Sequence, residues 1–154
     1  MYIVELDKVT STNDELKQLA EKGAHHFTVV TAKRQTKGRG RYDRKWESPV
    51  GNLYLSVLFK ESFSPLISFI AAVSVRETIG NKAKLKWPND VLIDGKKVAG
   101  ILLETVEGEY TIVGIGINIA AAPKYAAKID DDIKRVRDIL LARLWHNFKE
   151  FKAK

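Results

Sequence analysis

Apolar and polar residues alternate along YIVELDKV (2–9), FTVVTAK (27–33) and NLYLSVLFK (52–60), the period-two pattern of half-buried strands. Between the first two lies STNDELKQLAEKG, where Leu16, Leu19 and Ala20 recur at helical spacing. Thr12 is expected as the N-cap, with Glu15 three residues on, and Gly23 ends the helix. SPLISFIAAVSVRETIG (64–80) predicts a second helix, capped by Ser64 with Pro65 in its first turn, and its nearly continuous apolarity predicts cover on most sides. KLKW, VLID and KVAGILLETV then read as strands, the last two joined at Asp94-Gly95-Lys96. A further turn at Glu107-Gly108-Glu109 leads into YTIVGIGINI. Ile129, Ile133, Val136, Leu140, Leu144 and Phe148 predict an amphipathic helix over about 129–150, with acids at its start and bases towards its end. The elements sum to an α+β fold: helices packed on a mixed, mostly antiparallel sheet, in a single domain spanning 1–154.

Composition narrows the chemistry. At 45% apolar and 29% charged residues the chain is a folded protein with a real core. Its net charge of +7 favours an anionic partner without choosing among nucleic acid, nucleotide, acidic protein or lipid surface. The absence of cysteine excludes disulfides, thiolate metal sites and thiol nucleophiles. No signal pattern opens the sequence and no apolar run reaches the ~20 residues of a membrane span, so a cytoplasmic location with no membrane partner is expected. His25, His26 and His146 have no partners at metal-ligand spacing.

Three stretches could carry function. In RQTKGRGRYDRKW (34–46), Gly38 and Gly40 flank Arg39, a pattern that allows positive φ angles and inward-turned amides. Arg39, Arg41 and Arg44 offer planar donor forks for carboxylates or phosphates, and Trp46 offers a flat face. A solvated basic loop is the alternative. In KWPNDVLIDGKKVAG (86–100), Asp90 stands at a strand entrance with Lys86 before it and Lys97 across the hairpin. Gly100 there marks a close approach to the backbone, or the stretch is only a tight turn and a hairpin with surface lysines. VGIGINI (113–119) has two glycines and Asn118 in a strand otherwise made for a core, and no helix follows to make it a dinucleotide fingerprint. STN at 11–13 is ambiguous: helix capping explains Thr12, and a ligand role for Ser11 or Asn13 is the less favoured alternative.

In this order, STN, QTKGRGRYDRKW, SPVGNLYLSVLF, KWPNDVLIDGKKVAGIL and VGIGINI resemble the catalytic domain of biotin protein ligases, over residues 2 to about 120. The resemblance implies the class II synthetase-like fold of biotin and lipoate ligases and a two-step reaction. Biotin and ATP, with Mg²⁺, give biotinyl-5'-adenylate and pyrophosphate; a lysine of a biotin carboxyl carrier protein then displaces AMP. It also implies residue roles. Ser11, Thr12, Asn13 and Gln35 would hold the ureido end of biotin, and Gly38, Arg39, Gly40 and Arg41 would fold over biotin and the adenylate. Arg44 would face the phosphates, with Lys86, Trp46 and Asn118 on the nucleotide side. Lys97 would reach the activated carbonyl and phosphate, while Gly100, Ile101 and Leu102 would line the biotin tunnel. Asp90 would lie near the reacting centre, either assisting the incoming amine or organising Mg²⁺. The helix-turn-helix and small C-terminal β-barrel of bacterial members are not expected from this sequence, so no DNA partner is expected and a homodimer could supply what the barrel does elsewhere. The rivals of the same fold are lipoate ligases and octanoyl transferases. Of another class are a nucleic-acid-binding module and a catalytically silent, biotin-binding scaffold.

Overall fold

The computed structural model describes residues 1–61 and 65–152. Seven strands form one sheet in the order β1-β2-β3-β7-β6-β5-β4. They are β1 (Tyr2–Val9), β2 (Thr28–Gln35), β3 (Leu53–Phe59), β4 (Ala83–Lys86), β5 (Asp90–Ile93), β6 (Lys96–Val106) and β7 (Tyr110–Ile117). The β1–β2 pair is parallel and every other pair antiparallel, as the mixed reading requires. Among the described residues three α-helices cover it: α1 (Thr12–Glu21), α2 (Pro65–Ile79) and α3 (Ile133–Lys152).

Strand alternation sorts the side chains onto two faces. On one, Leu55 and Val57 of β3 and Val113, Ile115 and Ile117 of β7 pack under α2 and α3, with Val75, Leu140 and Leu144 among the fully buried residues there. Asn147 ties the two helices together, donating to Ser74 Oγ at 3.0 Å and Glu77 Oε1 at 2.7 Å. On the other face α1 lays Leu16 and Ala20 over Val30, Leu58 and Ile112. Ten residues of helix cover only part of that face. Beyond the N-terminus of α1 the same face continues as Ser56, Gly114, Leu102 and Gly100, in register across β3, β7 and β6.

Two boundaries differ from the sequence reading. Ser11, not Thr12, caps α1: its hydroxyl accepts the Asp14 amide at 3.0 Å, which leaves the Thr12 hydroxyl for tertiary partners. The last helix begins at Ile133, because Asp130 takes a left-handed φ of 51° and Asp132 caps the helix by accepting the Arg135 amide at 3.1 Å. Ile129 therefore precedes the helix, though it still packs on the core. The expected cap Ser64 lies outside the described residues.

Candidate active site

The uncovered strip of the sheet is short of side-chain volume, and that lets other groups lie on it. A Cβ at Gly114 would come 2.4 Å from Asn13 Oδ1, and one at Gly116 would come 2.6 Å from Trp46 Nε1. Gly100, paired with Gly116, would put a Cβ 3.1 Å from the Trp46 ring. Asn13 and the Trp46 indole thus rest on the sheet itself, and between and around them is a cavity of about 250 Å³. The glycines of VGIGINI, ambiguous as sequence, are the floor of this site.

The wall at the α1 end is a chain of hydrogen bonds among neutral groups that ends on the carboxylate of Glu104. Gln35 Oε1 accepts from the Thr12 amide at 2.9 Å and lies 3.3 Å from the Thr12 hydroxyl. Its Nε2 donates to Ser48 Oγ at 2.9 Å, and that hydroxyl donates to the Trp46 carbonyl at 2.9 Å. From the strip, Ser56 Oγ bonds Asn13 Oδ1 and stands 2.7 Å from Thr12 Oγ1. Asn13 Nδ2 donates to Glu104 Oε1 at 2.8 Å. Buried polar groups cost stability unless they are paired, so each bond fixes the next donor's direction.

The basic stretch departs from expectation in two respects. Gly38 and Gly40 do not take positive φ angles; Tyr42 (59°) and Asp43 (55°) do, in a tight turn closed by Arg44 N–H to Arg41 O at 3.2 Å, with Gly40 N–H donating to Arg44 O at 2.6 Å at its base. Gly38 is needed for space, since a Cβ there would be 2.4 Å from Ser48 Oγ and 2.5 Å from the Trp46 carbonyl. Arg39 is not available to an anion. Its guanidinium donates to Ser11 Oγ (3.0 Å), Asp14 Oδ1 (2.9 Å) and Glu104 Oε1 (2.6 Å). Arg41 and Arg44 have no carboxylate partner among the described residues and lie 5.3 and 6.0 Å from the Tyr42 ring, at the cavity's edge.

On the other side Lys97 Nζ is 2.8 Å from Asp90 Oδ1 and 5.0 Å from the centre of the Trp46 ring. Asn89 spans Ile101, accepting its amide and donating to its carbonyl, both at 2.9 Å, and so brings Asp90 to the rim. Ser11, Thr12, Asn13, Gln35, Arg39, Gly40, Arg41, Arg44, Trp46, Asp90, Lys97, Gly100, Leu102 and Asn118 all border the cavity. Ile101 borders it too, but its buried side chain belongs to the core behind. Asn118 holds the following loop, donating to the Ala127 carbonyl at 3.1 Å. Lys86 stands apart, exposed on edge strand β4, and Gly38 is buried behind Trp46. Among the described residues no group of three or more His, Asp or Glu could hold a metal ion, and the carboxylate of Asp90 is already paired. Sequence reasoning missed Asp14, Ser56 and Glu104, whose only signal was their place one turn or one register step from residues already singled out. No helix of the described residues is long and apolar enough to cross a membrane.

Comparison with known proteins decides the lineage. A family model described as the biotin/lipoate A/B protein ligase family matches residues 4–119. The chain belongs to that family. It is 38% identical over 136 residues to a Paracoccus denitrificans protein named as the biotin ligase of acetyl-CoA carboxylase, covering 79% of this chain and 56% of the relative. To the bifunctional ligase/repressor BirA of Bacillus subtilis it is 37% identical over 135 residues, 79% of this chain and 42% of the relative. It thus spans about half the length of these curated relatives. The biotin protein ligase of Aquifex aeolicus, solved in complex with biotin and ATP, superposes with a TM-score of 0.88 at 35% identity, over 99% of this chain and 72% of that one. The Leishmania major biotin protein ligase in complex with biotinyl-5-AMP gives 0.83 at 28% identity, over 97% and 75%. The fold expected from the resemblance is the one observed.

Two outcomes test the site's construction. Gly114→Ala forces Asn13 off Ser56 and Glu104, and a urea titration should show a loss of about 1–3 kcal/mol. Burial opposes the charge of Asp14, but the bonds from Arg39, Ser11 and Thr10 outweigh it and hold the carboxyl below its ordinary 3.8. Its stabilising contribution is complete above the unfolded value and disappears as the pH falls through the lower folded value. The stability gap between wild type and Asp14→Asn should therefore be constant from about pH 7 to 5 and shrink below about pH 4.

Proposed function

We propose that this chain activates biotin with ATP and passes it to a lysine of a biotin carboxyl carrier protein. The observation that carries the reading is a single cavity lined both by fixed neutral hydrogen-bonding groups and by two arginines, Arg41 and Arg44, with no carboxylate partner among the described residues, in a fold superposing on ligases solved with biotin and ATP or with biotinyl-5-AMP. Thr12, Asn13 and Gln35 suit a neutral ureido head, whose donors and acceptors they can match one by one. Arg41, Arg44 and Lys97 suit its carboxylate and the α-phosphate. Two such charges about 4 Å apart repel by about 4 kcal/mol at an effective dielectric of about 20, so cations must be in place before the bond can form.

In the first step a carboxylate oxygen attacks the α-phosphorus and pyrophosphate leaves. In the second a lysine amine attacks the acyl carbonyl, AMP leaves, and the amine gives up a proton. Asp90 is the carboxylate at the rim to receive that proton, once Lys97 turns from it to the phosphate. Mg²⁺ enters with ATP as part of the substrate. Trp46 and Asn118 line the nucleotide side. A water-sensitive anhydride needs cover, and the loop around Arg41–Asp43 supplies it by ordering over the ligand. The cytoplasm, where ATP and the carrier meet, is the setting.

Against a nucleic-acid module stands the placement of Trp46, whose ring lies on Gly100 and Gly116 beneath Lys97 and not outward for stacking on a base. Pyrophosphate release by purified protein with MgATP should depend on biotin and not start with lipoate or octanoate. Lys97→Ala and Arg41→Ala should each lower it about 10²–10³-fold without unfolding the protein. Release with lipoate alone would replace this reading by its neighbour in the family.

A further inference from the structure

Arg39, Glu104 and Asp14 form a cluster that the proposed chemistry does not use. Glu104 projects from β6 on the site face, since its partner Ile112 is in the cluster under α1 and the next positions along are Leu102 and Gly100. One oxygen, Glu104 Oε1, accepts both from Asn13 Nδ2 at 2.8 Å and from Arg39 Nη2 at 2.6 Å. Arg39 Nη2 also meets Asp14 Oδ1 in the first turn of α1, and Nη1 meets Ser11 Oγ, the cap of that helix. With two carboxylates against one guanidinium, the cluster has no cation left for a substrate anion.

We infer that Glu104 is a positioning residue: with Arg39 and Asp14 it latches the basic loop to the start of α1 and sets the direction of the Asn13 amide at the head end of the biotin pocket. The inference rests on the functional reading above. Asn13 has one acceptor and two donors; Ser56 occupies the acceptor and Glu104 takes one donor, so the amide is held against flipping. The same carboxylate anchors Arg39, which precedes Gly40 and the turn carrying Arg41 and Arg44. The latch therefore couples the geometry of the head pocket to the seat of the loop.

Steady-state kinetics of biotin-dependent pyrophosphate release and hydrogen exchange of the loop amides, Gly40 and Trp46 included, test this together. Glu104→Gln keeps an acceptor for Asn13 but removes the charge that holds Arg39, and Arg39→Lys keeps the charge but cannot reach three partners. Each should raise the KM for biotin about ten-fold, leave kcat and the KM for ATP within about two-fold, and speed loop exchange. The double variant should cost less than the two single effects combined, because both remove one interaction. An unchanged biotin KM, or equal changes in kcat and both KM values, overturns the inference. If wild-type protein releases no pyrophosphate with biotin, the functional reading fails, and unaltered loop exchange in Glu104→Gln would then sink the latch as well.

Discussion

The site depends on missing side chains. Gly100, Gly114 and Gly116 share one face of two paired strands whose opposite face is solid core, and without their Cβ atoms Asn13 and Trp46 can lie directly on the sheet. Any other residue at Gly114 or Gly116 would overlap them, and the cavity would lose its floor. The constraint is steric, and it fixes where polar groups can be placed.

From that floor the rest follows by hydrogen-bond satisfaction. Thr12, Asn13, Ser48 and Ser56 are buried, and their side chains pair with one another or with Gln35 and Glu104. The capping hydroxyl of Ser11 serves the helix, which frees Thr12 to face β3. This makes one end of the cavity stiff and lined by neutral groups, with the charges of Arg39, Asp14 and Glu104 spent on one another. The other end is cationic and open: Arg41 and Arg44 are exposed, and Lys97 has the half-exposed carboxylate of Asp90 beside it. A ligand with a neutral, many-bonded head and an anionic tail fits that polarity.

Local pattern disclosed the strands, the three helices and both late hairpins, because alternation, helical spacing and the glycine-bearing turns at Asp94-Gly95 and Glu107-Gly108 are properties of neighbouring residues. The motif stretches disclosed most of the cavity's lining. What stayed hidden was set by distant partners. Arg39 read as an anion donor because Asp14 and Glu104 lie 25 and 65 residues away. Gly38 and Gly40 read as turn glycines, whereas contact with Ser48 and Trp46 explains the first and the sharp turn falls on Tyr42 and Asp43. Lys86 sits opposite Asp90 in the β4–β5 pairing but is exposed on the edge strand and does not border the cavity, which sequence adjacency could not reveal.

The most direct trial is a crystal structure of the protein with biotin and ATP bound. The head of the vitamin should meet Thr12, Asn13 and Gln35 above Gly114, with its carboxylate and the α-phosphate between Lys97 and Arg41, and Arg39 still on Glu104. A ligand seated elsewhere, or Arg41 and Arg44 left in solvent beside a filled pocket, would contradict the account.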